Sequence, residues 1–304
     1  MRAVRFHEYG DLDVLRVEEV EAPEPEQGQV SVRVRAAGVN PIDWKVVHGL
    51  VSGGEPMDEP RGLGVDVAGV IEQVGEGAGL EPGEEVFGMS ITPAYAEVAL
   101  STPQMLLAKP PGLSFEVAGG LGVVVGTAYA TLDRLSLQAG ETVLIAGASG
   151  AVGSIAVQLA VARGVGVLGI AGEARLAELR GLGATAVAHG EGLLGRLREV
   201  APEGVDAALD ASGHGELAAL VQLAGGPERV LTIASYAEAG ELGVEFHAGG
   251  GGELTIQALQ EVVPLIEAGR MSFPVAGVYG LDQAAEALRE SEHGRPAGKL
   301  VIVP

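Results

Sequence analysis

The sequence predicts an α/β protein in which a doubly wound parallel sheet is inserted into a smaller β-rich domain. Up to about residue 110, short strand patterns are separated by Gly and Pro turns. From Pro110 onward, apolar strands alternate with helical patterns, as in a parallel sheet with helices on both faces. The segment after residue 267 has no place in that alternation and is expected to complete the first domain. The predicted boundaries are 1–117, 118–267 and 268–304.

The β-rich part is indicated by residues 29–36, QVSVRVRA, where Val30, Val32 and Val34 alternate with polar residues. This period of two predicts a half-buried strand. Two further strands are predicted at 67–75 and 84–89, with a Gly/Pro turn between them. Short strands joined by such turns favour a barrel-like β domain.

The predicted parallel sheet is built from continuous apolar runs, which are typical of strands covered on both faces. Its strands are expected at 142–147, 165–171, 205–211 and 229–235, with helices at 150–163 and 173–183. Beyond it, residues 273–281 are expected to be extended. Asp282 is expected to cap a helix, and residues 298–304 are expected to form a last strand.

Charge and composition exclude several classes of partner and chemistry. The 304 residues include 41 acidic and 19 basic side chains, a net charge of −22, which disfavours nucleic acid and anionic membranes. The chain has no cysteine, so disulfides, thiol catalysis and Cys-ligated zinc are excluded. The first residues, MRAVRFHEYG, lack the apolar core of a signal peptide, and we expect a cytoplasmic location.

The stretch Thr142–Ala162 carries no charge and admits three interpretations. It is long enough for a transmembrane helix, but glycines and serines at its centre disfavour that. If the stretch forms a strand, a turn and a helix, the six residues Ala148–Gly153 (ASGAVG) lie where a dinucleotide-binding loop would be. The helix N-terminus would offer N–H groups and a positive dipole to a pyrophosphate. A packed turn without a ligand is the alternative.

The end of the next strand bears on which dinucleotide is bound. NAD-binding units carry an acid there for the ribose hydroxyls, whereas this chain has Ala171 and Gly172. The absent acid and nearby Arg175 favour a 2′-phosphate, hence NADPH. Glu173 argues against this, and a solvated Arg175 at a helix start is the alternative.

Seven segments occur in an order that resembles one family over nearly the whole chain. They are AAGVNPIDWK (36–45), GLGVDVAGVIEQVG (62–75), AYAEV (94–98), GTAYATL (126–132), GASGAVGSIAVQLA (147–160), LGA (182–184) and AGKLVI (297–302). This set resembles the zinc-free quinone oxidoreductase, or zeta-crystallin-like, branch of the medium-chain dehydrogenase/reductase superfamily. The resemblance implies a Rossmann domain inserted in a GroES-like domain. It also implies a homodimer, by pairing of the edge strand in RVLTIAS (229–235).

The resemblance also implies the cofactor contacts. The loop would line the pyrophosphate, Thr127 would lie near the nicotinamide, and Gly172 with Arg175 would lie at the 2′-phosphate. His189 would lie beside the adenosine, with a plain surface position as its alternative. The implied cofactor-binding residues are Thr127, Ser149, Gly150, Ala151, Val152, Gly153, Gly172, Arg175, His189, Ala211, Ile233, Ala234 and Ser235.

The zinc alcohol dehydrogenases of the superfamily need a cysteine and a G-H-E motif, where this chain has Asn40 and GVDVAG. No metal is expected, so hydride transfer to a quinone or an α,β-unsaturated carbonyl is favoured over alcohol oxidation. Asn40 would donate to the acceptor oxygen or fix the nicotinamide ribose, Asp43 would order the loop, and Lys45 would be an oxyanion donor. A purely structural turn is the alternative.

The sequence therefore predicts a zinc-independent, NADPH-dependent oxidoreductase that acts on a small quinone or enone, without nucleic acid or membrane partners. Two alternatives stay open. One is an NADPH-binding protein with a structural or regulatory role, and the other is an enoyl reductase acting on acyl chains. The identity of the acceptor is not fixed by these patterns.

Overall fold

The computed structural model describes residues 1–53, 55–293 and 296–304. The strands are β1 (Arg2–Phe6), β2 (Arg16–Glu19), β3 (Val30–Gly38), β4 (Arg61–Gly62), β5 (Asp66–Val74), β6 (Glu85–Met89), β7 (Val98–Ser101), β8 (Leu106–Ala108), β9 (Thr142–Ala146), β10 (Gly166–Ala171), β11 (Thr185–Ala188), β12 (Ala207–Asp210), β13 (Val230–Thr232), β14 (Glu245–Phe246), β15 (Val275–Gly280) and β16 (Lys299–Val303).

The α-helices are α1 (Pro41–Val47), α2 (Phe115–Arg134), α3 (Ala151–Ala162), α4 (Leu176–Gly181), α5 (Leu193–Val200), α6 (Leu217–Ala224), α7 (Tyr236–Leu242), α8 (Gly252–Glu267) and α9 (Ala284–His293). Short 3-10 turns occur at Leu12–Val14, Pro103–Met105, Glu173–Arg175 and Leu281–Gln283.

The chain divides into two compact units. The first unit contains Met1–Val123 and Gly251–Pro304, and the second contains Val124–Gly250. The sequence placed the two boundaries after residues 117 and 267, so α8 falls in the first unit instead of the second. Helix α8 contacts the turn Pro103–Met105 and strand β6, which are both parts of the first unit.

The first unit is built around strand β3. Its alternating valines are buried, while Arg33 and Arg35 are exposed, as the period of two requires. Strand β5 pairs with β3 from Val30 to Ala36, and β7 pairs with the first half of β3. The last strand, β16, pairs antiparallel with the end of β3 at Ala37 and Gly38. The C-terminal segment therefore completes this unit, as the sequence led us to expect.

The second unit holds a six-stranded sheet in the order β11-β10-β9-β12-β13-β14. All its pairings are parallel. The strand order reverses between β9 and β12, which is where ligands bind in open α/β sheets, beside the carboxyl ends of the strands. The predicted doubly wound sheet in a β-rich domain is thus confirmed.

Two local predictions were wrong. Gly280, and not Asp282, is the N-cap of the turn before α9, because the Gln283 side chain accepts the Gly280 N–H at 3.1 Å. Strand β13, within RVLTIAS, is not a sheet edge, because it is hydrogen-bonded to β12 on one side and to β14 on the other. Of these strands, β14 forms the edge.

The uncharged stretch Thr142–Ala162 is strand β9 and helix α3 with a turn between them, so it is not a single membrane-spanning helix. Among the described residues, α2 is long and apolar enough to cross a bilayer by length and composition. About three quarters of its most apolar window is buried inside the protein, as in a core helix.

Candidate functional site

The turn between β9 and α3 has the shape of an anion cradle. Gly147 ends the strand with a φ of 70°, in the left-handed region that favours glycine. Gly150 is the N-cap of α3, and it has no side chain that could accept from the first N–H groups of the helix. The first N–H groups of a helix lack intrahelical partners, so those of Ala151, Val152 and Gly153 remain available to an external acceptor.

Close packing fixes this turn. A Cβ on Gly153 would lie 2.1 Å from the carbonyl oxygen of Gly147. A Cβ on Gly147 would lie 2.9 Å from the backbone of Ala211. Ala148 is fully buried, and its Cβ faces Gly169 of β10, so a small side chain is required where the usual fingerprint has glycine. The partly exposed helix start and the small residues of the turn fit a pyrophosphate group.

Residues at the ends of β10 and β11 lie together, as the sequence proposed. The His189 N–H donates to the Ala171 carbonyl at 3.0 Å, and the His189 ring lies about 4 Å from where a Gly172 Cβ would be. Arg175 ends the turn Glu173–Arg175 and donates to Glu178 at 2.8 Å. An exposed ion pair of this kind is weak, so it leaves the guanidinium able to bind an anion.

Asp210 holds the loops after β12 and β13 together. Its Oδ1 accepts from the N–H groups of Ser212 and Gly213 at 2.9 and 3.1 Å. Its Oδ2 accepts from the hydroxyls of Thr232 and Ser235 at 2.8 and 2.7 Å. Burial alone would raise the pKa of Asp210, but these hydrogen bonds outweigh it and hold the pKa below its ordinary value.

The loops fixed by Asp210 contain the remaining sequence-predicted contacts at this end of the sheet. Ala211 donates its N–H to the Ala146 carbonyl at 3.1 Å, which joins it to the end of β9. Ile233 and Ala234 are the next residues after β13, and Ser235 begins α7. The predicted residues after β9, β12 and β13 therefore all lie at the carboxyl ends of these parallel strands.

Thr127, in α2, lies against the segment that follows β14. A Cβ on Gly249 would lie 2.9 Å from Thr127 Oγ1, and one on Gly250 would lie 2.7 Å from the Gly126 carbonyl. His247 donates its N–H to the Thr232 carbonyl at 2.8 Å. Thr127 is thus close to the chain that leaves the edge strand.

In the first unit, the segment from Gly38 to Lys45 forms a buried polar centre. Asp43, in the first turn of α1, accepts the Asn40 backbone N–H at 2.8 Å and the Tyr95 hydroxyl at 2.7 Å. Burial raises the pKa of Asp43 to about 6, although these two hydrogen bonds and the Lys299 charge oppose the shift. The Asp43 carboxylate therefore links the Asn40 backbone to the Tyr95 hydroxyl.

The Asn40 side chain is buried and hydrogen-bonded at both ends. Its Nδ2 donates to Asp66 Oδ2 at 2.9 Å and to the Gly38 carbonyl at 3.3 Å. Its Oδ1 accepts from Lys299 Nζ at 2.5 Å. Both amide hydrogens are thus directed to protein acceptors, which favours a positioning role for Asn40 over donation to a substrate oxygen.

Lys45 differs from Asn40 and Asp43 because it is half-buried in α1. Its Nζ lies 5.5 Å from the centre of the Trp44 ring. Partial burial lowers the pKa of Lys45 below its ordinary value, which makes its ammonium group a better proton donor.

Three polar residues that the sequence analysis did not propose are central to these sites: Asp66, Lys299 and Asp210. Each is a charged residue placed in or beside a buried apolar strand, at less than 4% exposure. That placement was visible in GVDVAG, GKLVIVP and VDAALDA, since a buried charge needs partners. Their partners are distant in the sequence and were not visible.

Metal ligation was tested on the same residues. In the ranges that the structure describes, no three His, Asp or Glu side chains come together as a metal-binding group.

Comparison with known proteins places the chain in a family. Residues 26–132 match the alcohol dehydrogenase GroES-like domain, and residues 182–302 match the zinc-binding dehydrogenase domain. The chain is 32% identical to the human quinone oxidoreductase, over 100% of this chain and 98% of that protein. It belongs to the quinone oxidoreductase group of the medium-chain dehydrogenase/reductase superfamily.

Two further similarities agree with this membership in the medium-chain superfamily. The chain is 30% identical to the chloroplastic NADPH-dependent alkenal/one oxidoreductase of Arabidopsis thaliana, over 100% of this chain and 80% of that protein. The quinone oxidoreductase structure from Coxiella burnetii superposes with a TM-score of 0.84 at 25% identity and covers 100% of this chain and 99% of that one.

Proposed function

We propose that this protein is an NADPH-dependent oxidoreductase that reduces a quinone or an α,β-unsaturated carbonyl. The observation that carries the proposal is the uncapped, glycine-shaped start of α3, together with Arg175 in the turn that follows the neighbouring strand β10. Relatives named as a quinone oxidoreductase and an NADPH-dependent alkenal/one oxidoreductase support the choice of cofactor and acceptors.

The second unit would hold the nucleotide. The N–H groups of the α3 first turn, in Ala151, Val152 and Gly153, would bind the pyrophosphate, with Ser149 and Gly150 shaping the turn before them. Arg175 would bind the 2′-phosphate, where a charge-assisted hydrogen bond is strong. The other proposed contacts are Thr127, Gly172, His189, Ala211, Ile233, Ala234 and Ser235.

The bound cofactor would supply a hydride. The chain must then orient the acceptor and supply a proton, because hydride addition to a quinone or an enone leaves a negative oxygen. Lys45 is the residue we assign to that step: its ammonium donates a hydrogen bond to the developing oxyanion and then its proton. A quinone would leave as the hydroquinone. An enone that accepts the hydride at its β-carbon and the proton at its oxygen would leave as the enol, which tautomerises to the saturated carbonyl. Asn40 and Asp43 would fix the loop that carries Lys45.

The test is consumption of NADPH by the purified protein with 1,4-benzoquinone and with trans-2-hexenal, repeated with NADH. We expect turnover with at least one acceptor and a preference for NADPH. NADPH binding without turnover of any quinone or enal would instead support a structural or regulatory NADPH-binding protein. Turnover confined to long acyl enones would support the enoyl reductase alternative.

The proposal includes a homodimer and a cytoplasmic location. With β13 internal to its sheet, the edge strand on that side is β14, and we propose that it pairs between copies. Phe246 of β14 and Tyr236 of α7 are exposed there, and their rings pack edge to face at 5.2 Å. Sedimentation velocity of the purified protein tests the dimer. A monomer at micromolar concentration would contradict it.

A further inference from the structure

Two opposite charges are buried in the first unit, and the proposed chemistry uses neither of them directly. Asp66 begins β5 with no exposed surface, and Lys299 begins β16 with 3% exposed. Their charged atoms, Oδ2 and Nζ, lie 3.4 Å apart. Removing two charges from water costs more than a loose pair returns unless further hydrogen bonds satisfy both groups. The pair therefore needs an explanation beyond stability.

Helix α2 leaves space for this pair because it has glycines at the positions that face the two side chains. A Cβ on Gly122 of α2 would lie 2.5 Å from Asp66 Oδ1, and one on Gly120 would lie 2.7 Å from Lys299 Cγ. Val123, in the same helix, donates its N–H to Asp66 Oδ1 at 2.7 Å. The apolar helix thus carries glycines where it passes the two charged side chains.

The partner distances show what Lys299 holds. Its Nζ lies 2.5 Å from Asn40 Oδ1, nearer than the 3.4 Å to Asp66. Asp66 in turn accepts from the other end of the same amide, Asn40 Nδ2, at 2.9 Å. Lys299 and Asp66 therefore bind opposite ends of the Asn40 amide, and together they fix the orientation of that side chain.

Asn40 connects Lys299 and Asp66 to the segment that carries Lys45. It is the N-cap of α1, and its backbone N–H donates to Asp43, which Tyr95 also holds. Helix α1 carries Lys45 five residues later. The residue held by Lys299 and Asp66 is therefore also the residue whose backbone bonds to Asp43 at the start of the helix that carries Lys45.

We propose that Lys299 is a positioning residue which, with Asp66, acts through Asn40 to present Lys45 to the electron acceptor. This inference rests on the proposed function, since it concerns the presentation of the proposed proton donor. Its specific content is that Lys299 acts through Asn40 and Lys45 and not by stabilising the fold in general.

The test is a pair of double-mutant cycles measured with 1,4-benzoquinone. We expect Lys299→Met and Asn40→Ala each to lower kcat/KM for the quinone by about tenfold or more. We expect the double variant to have a kcat/KM no lower than that of the less active single variant. In the Lys45→Met background, we expect Lys299→Met to lower kcat no further. Effects of Lys299→Met and Lys45→Met that multiply would overturn the proposal, whatever the other cycle shows, because independent defects multiply.

Lys109 provides the matched control. It is another buried lysine of the first unit, bonded to Glu85 at 2.9 Å and to the Leu113 carbonyl at 2.8 Å, and it is not part of the Asn40 contacts. We expect Lys109→Met to lower the free energy of unfolding while leaving the kinetics for the quinone within about twofold. NADPH affinity, measured by fluorescence titration, should be unchanged in every variant.

A second set of variants distinguishes loss of the Lys299 contact from loss of folding. Lys299→Met leaves the Asp66 carboxylate buried without its cation, so the cycle is repeated with Asp66→Asn, which removes that charge. If neither form folds, Asn40→Ala decides, because it leaves Asp66 and Lys299 facing each other. Unchanged quinone kinetics in folded Asn40→Ala would overturn the proposal. An inactive wild-type protein would instead contradict the proposed function.

Discussion

Lys299 and Asn40 are 259 positions apart in the chain, and their side chains meet at 2.5 Å. The last strand, β16, brings them together because it pairs with the end of β3, two residues before Asn40. The geometry of the proposed acceptor loop therefore depends on the C-terminal strand, through a contact between two buried side chains.

Gly153 is the first position where a substitution tests the nucleotide site. Gly153→Ala places a Cβ 2.1 Å from the Gly147 carbonyl oxygen, so the turn must move. We expect NADPH affinity to fall by at least tenfold and stability to fall by about 1–3 kcal/mol. Fluorescence titration and urea unfolding measure the two effects.

Gly195→Ala is the control for that variant. Gly195 also lies in a helix, α5, and within the described part of the chain a Cβ there meets nothing within 4 Å. Alanine is the better helix former by about 1 kcal/mol, so this variant should be as stable as the wild type or more so, with unchanged NADPH affinity. Equal NADPH affinity in the two variants would show that the turn between β9 and α3 does not bind the nucleotide.

Arg175→Ala tests the assignment of the 2′-phosphate. A charge-assisted hydrogen bond contributes about 1.5–3 kcal/mol, so the preference for NADPH over NADH should fall by about tenfold to a hundredfold. The measurement is kcat/KM for each cofactor with one acceptor. Arg180→Ala removes an equal charge from an exposed position in the following helix, α4, and should keep the preference. An unchanged preference in Arg175→Ala would place the phosphate contact elsewhere.

Asp210→Asn tests the clamp between the loops after β12 and β13. The amide replaces one accepting oxygen with a donor that faces the Thr232 and Ser235 hydroxyls or the Ser212 and Gly213 N–H groups. We expect a stability loss of about 1–3 kcal/mol and weaker NADPH binding. Because the folded pKa of Asp210 is depressed, its contribution is present above the unfolded pKa and is lost as pH falls through the folded value. Wild-type NADPH affinity in the variant would show that these loops do not contact the nucleotide.

Asp43 gives a pH dependence of opposite sign. Its pKa rises from 3.8 to about 6 on folding, so its contribution to stability is present below pH 3.8 and is lost as pH rises through about 6. This loss amounts to roughly 3 kcal/mol. The free energy of unfolding of Asp43→Asn, relative to the wild type, should therefore increase between about pH 4 and 6.5.

Urea unfolding across that pH range measures the difference. Asp133→Asn, at an exposed position in α2, is the matched control and should follow the wild-type profile. A relative stability of Asp43→Asn that stays flat with pH would show that the Asp43 carboxyl is not desolvated in the folded protein.

Local patterns predicted the sheet and the turn between β9 and α3, whereas the loop segment that contains Asn40 was implied by the family resemblance. Residues 142–163 carry their strand, turn and helix in the apolar run and its glycines, and β3 carries its own alternation. The fold was therefore predictable wherever one segment determined its own structure.

What the sequence did not predict depends on contacts between distant segments. Asp210 looked like the end of an apolar strand, and its role follows from hydroxyls more than 20 residues away. Asn40 was expected to donate to the acceptor oxygen or to fix the nicotinamide ribose, and its side-chain partners Asp66 and Lys299 lie 26 and 259 positions away. Asp282 was a good N-cap by residue type, but the turn is capped two residues earlier, at Gly280, by the nearby Gln283 side chain.

The most direct test of the central claim is the loss of NADPH absorbance at 340 nm when the purified protein is mixed with 1,4-benzoquinone or trans-2-hexenal. The wild type should consume NADPH faster than NADH with at least one acceptor, and Gly153→Ala should show little rate above the uncatalysed reaction. Tight NADPH binding with no consumption above that background, for any quinone or enal, would contradict the account.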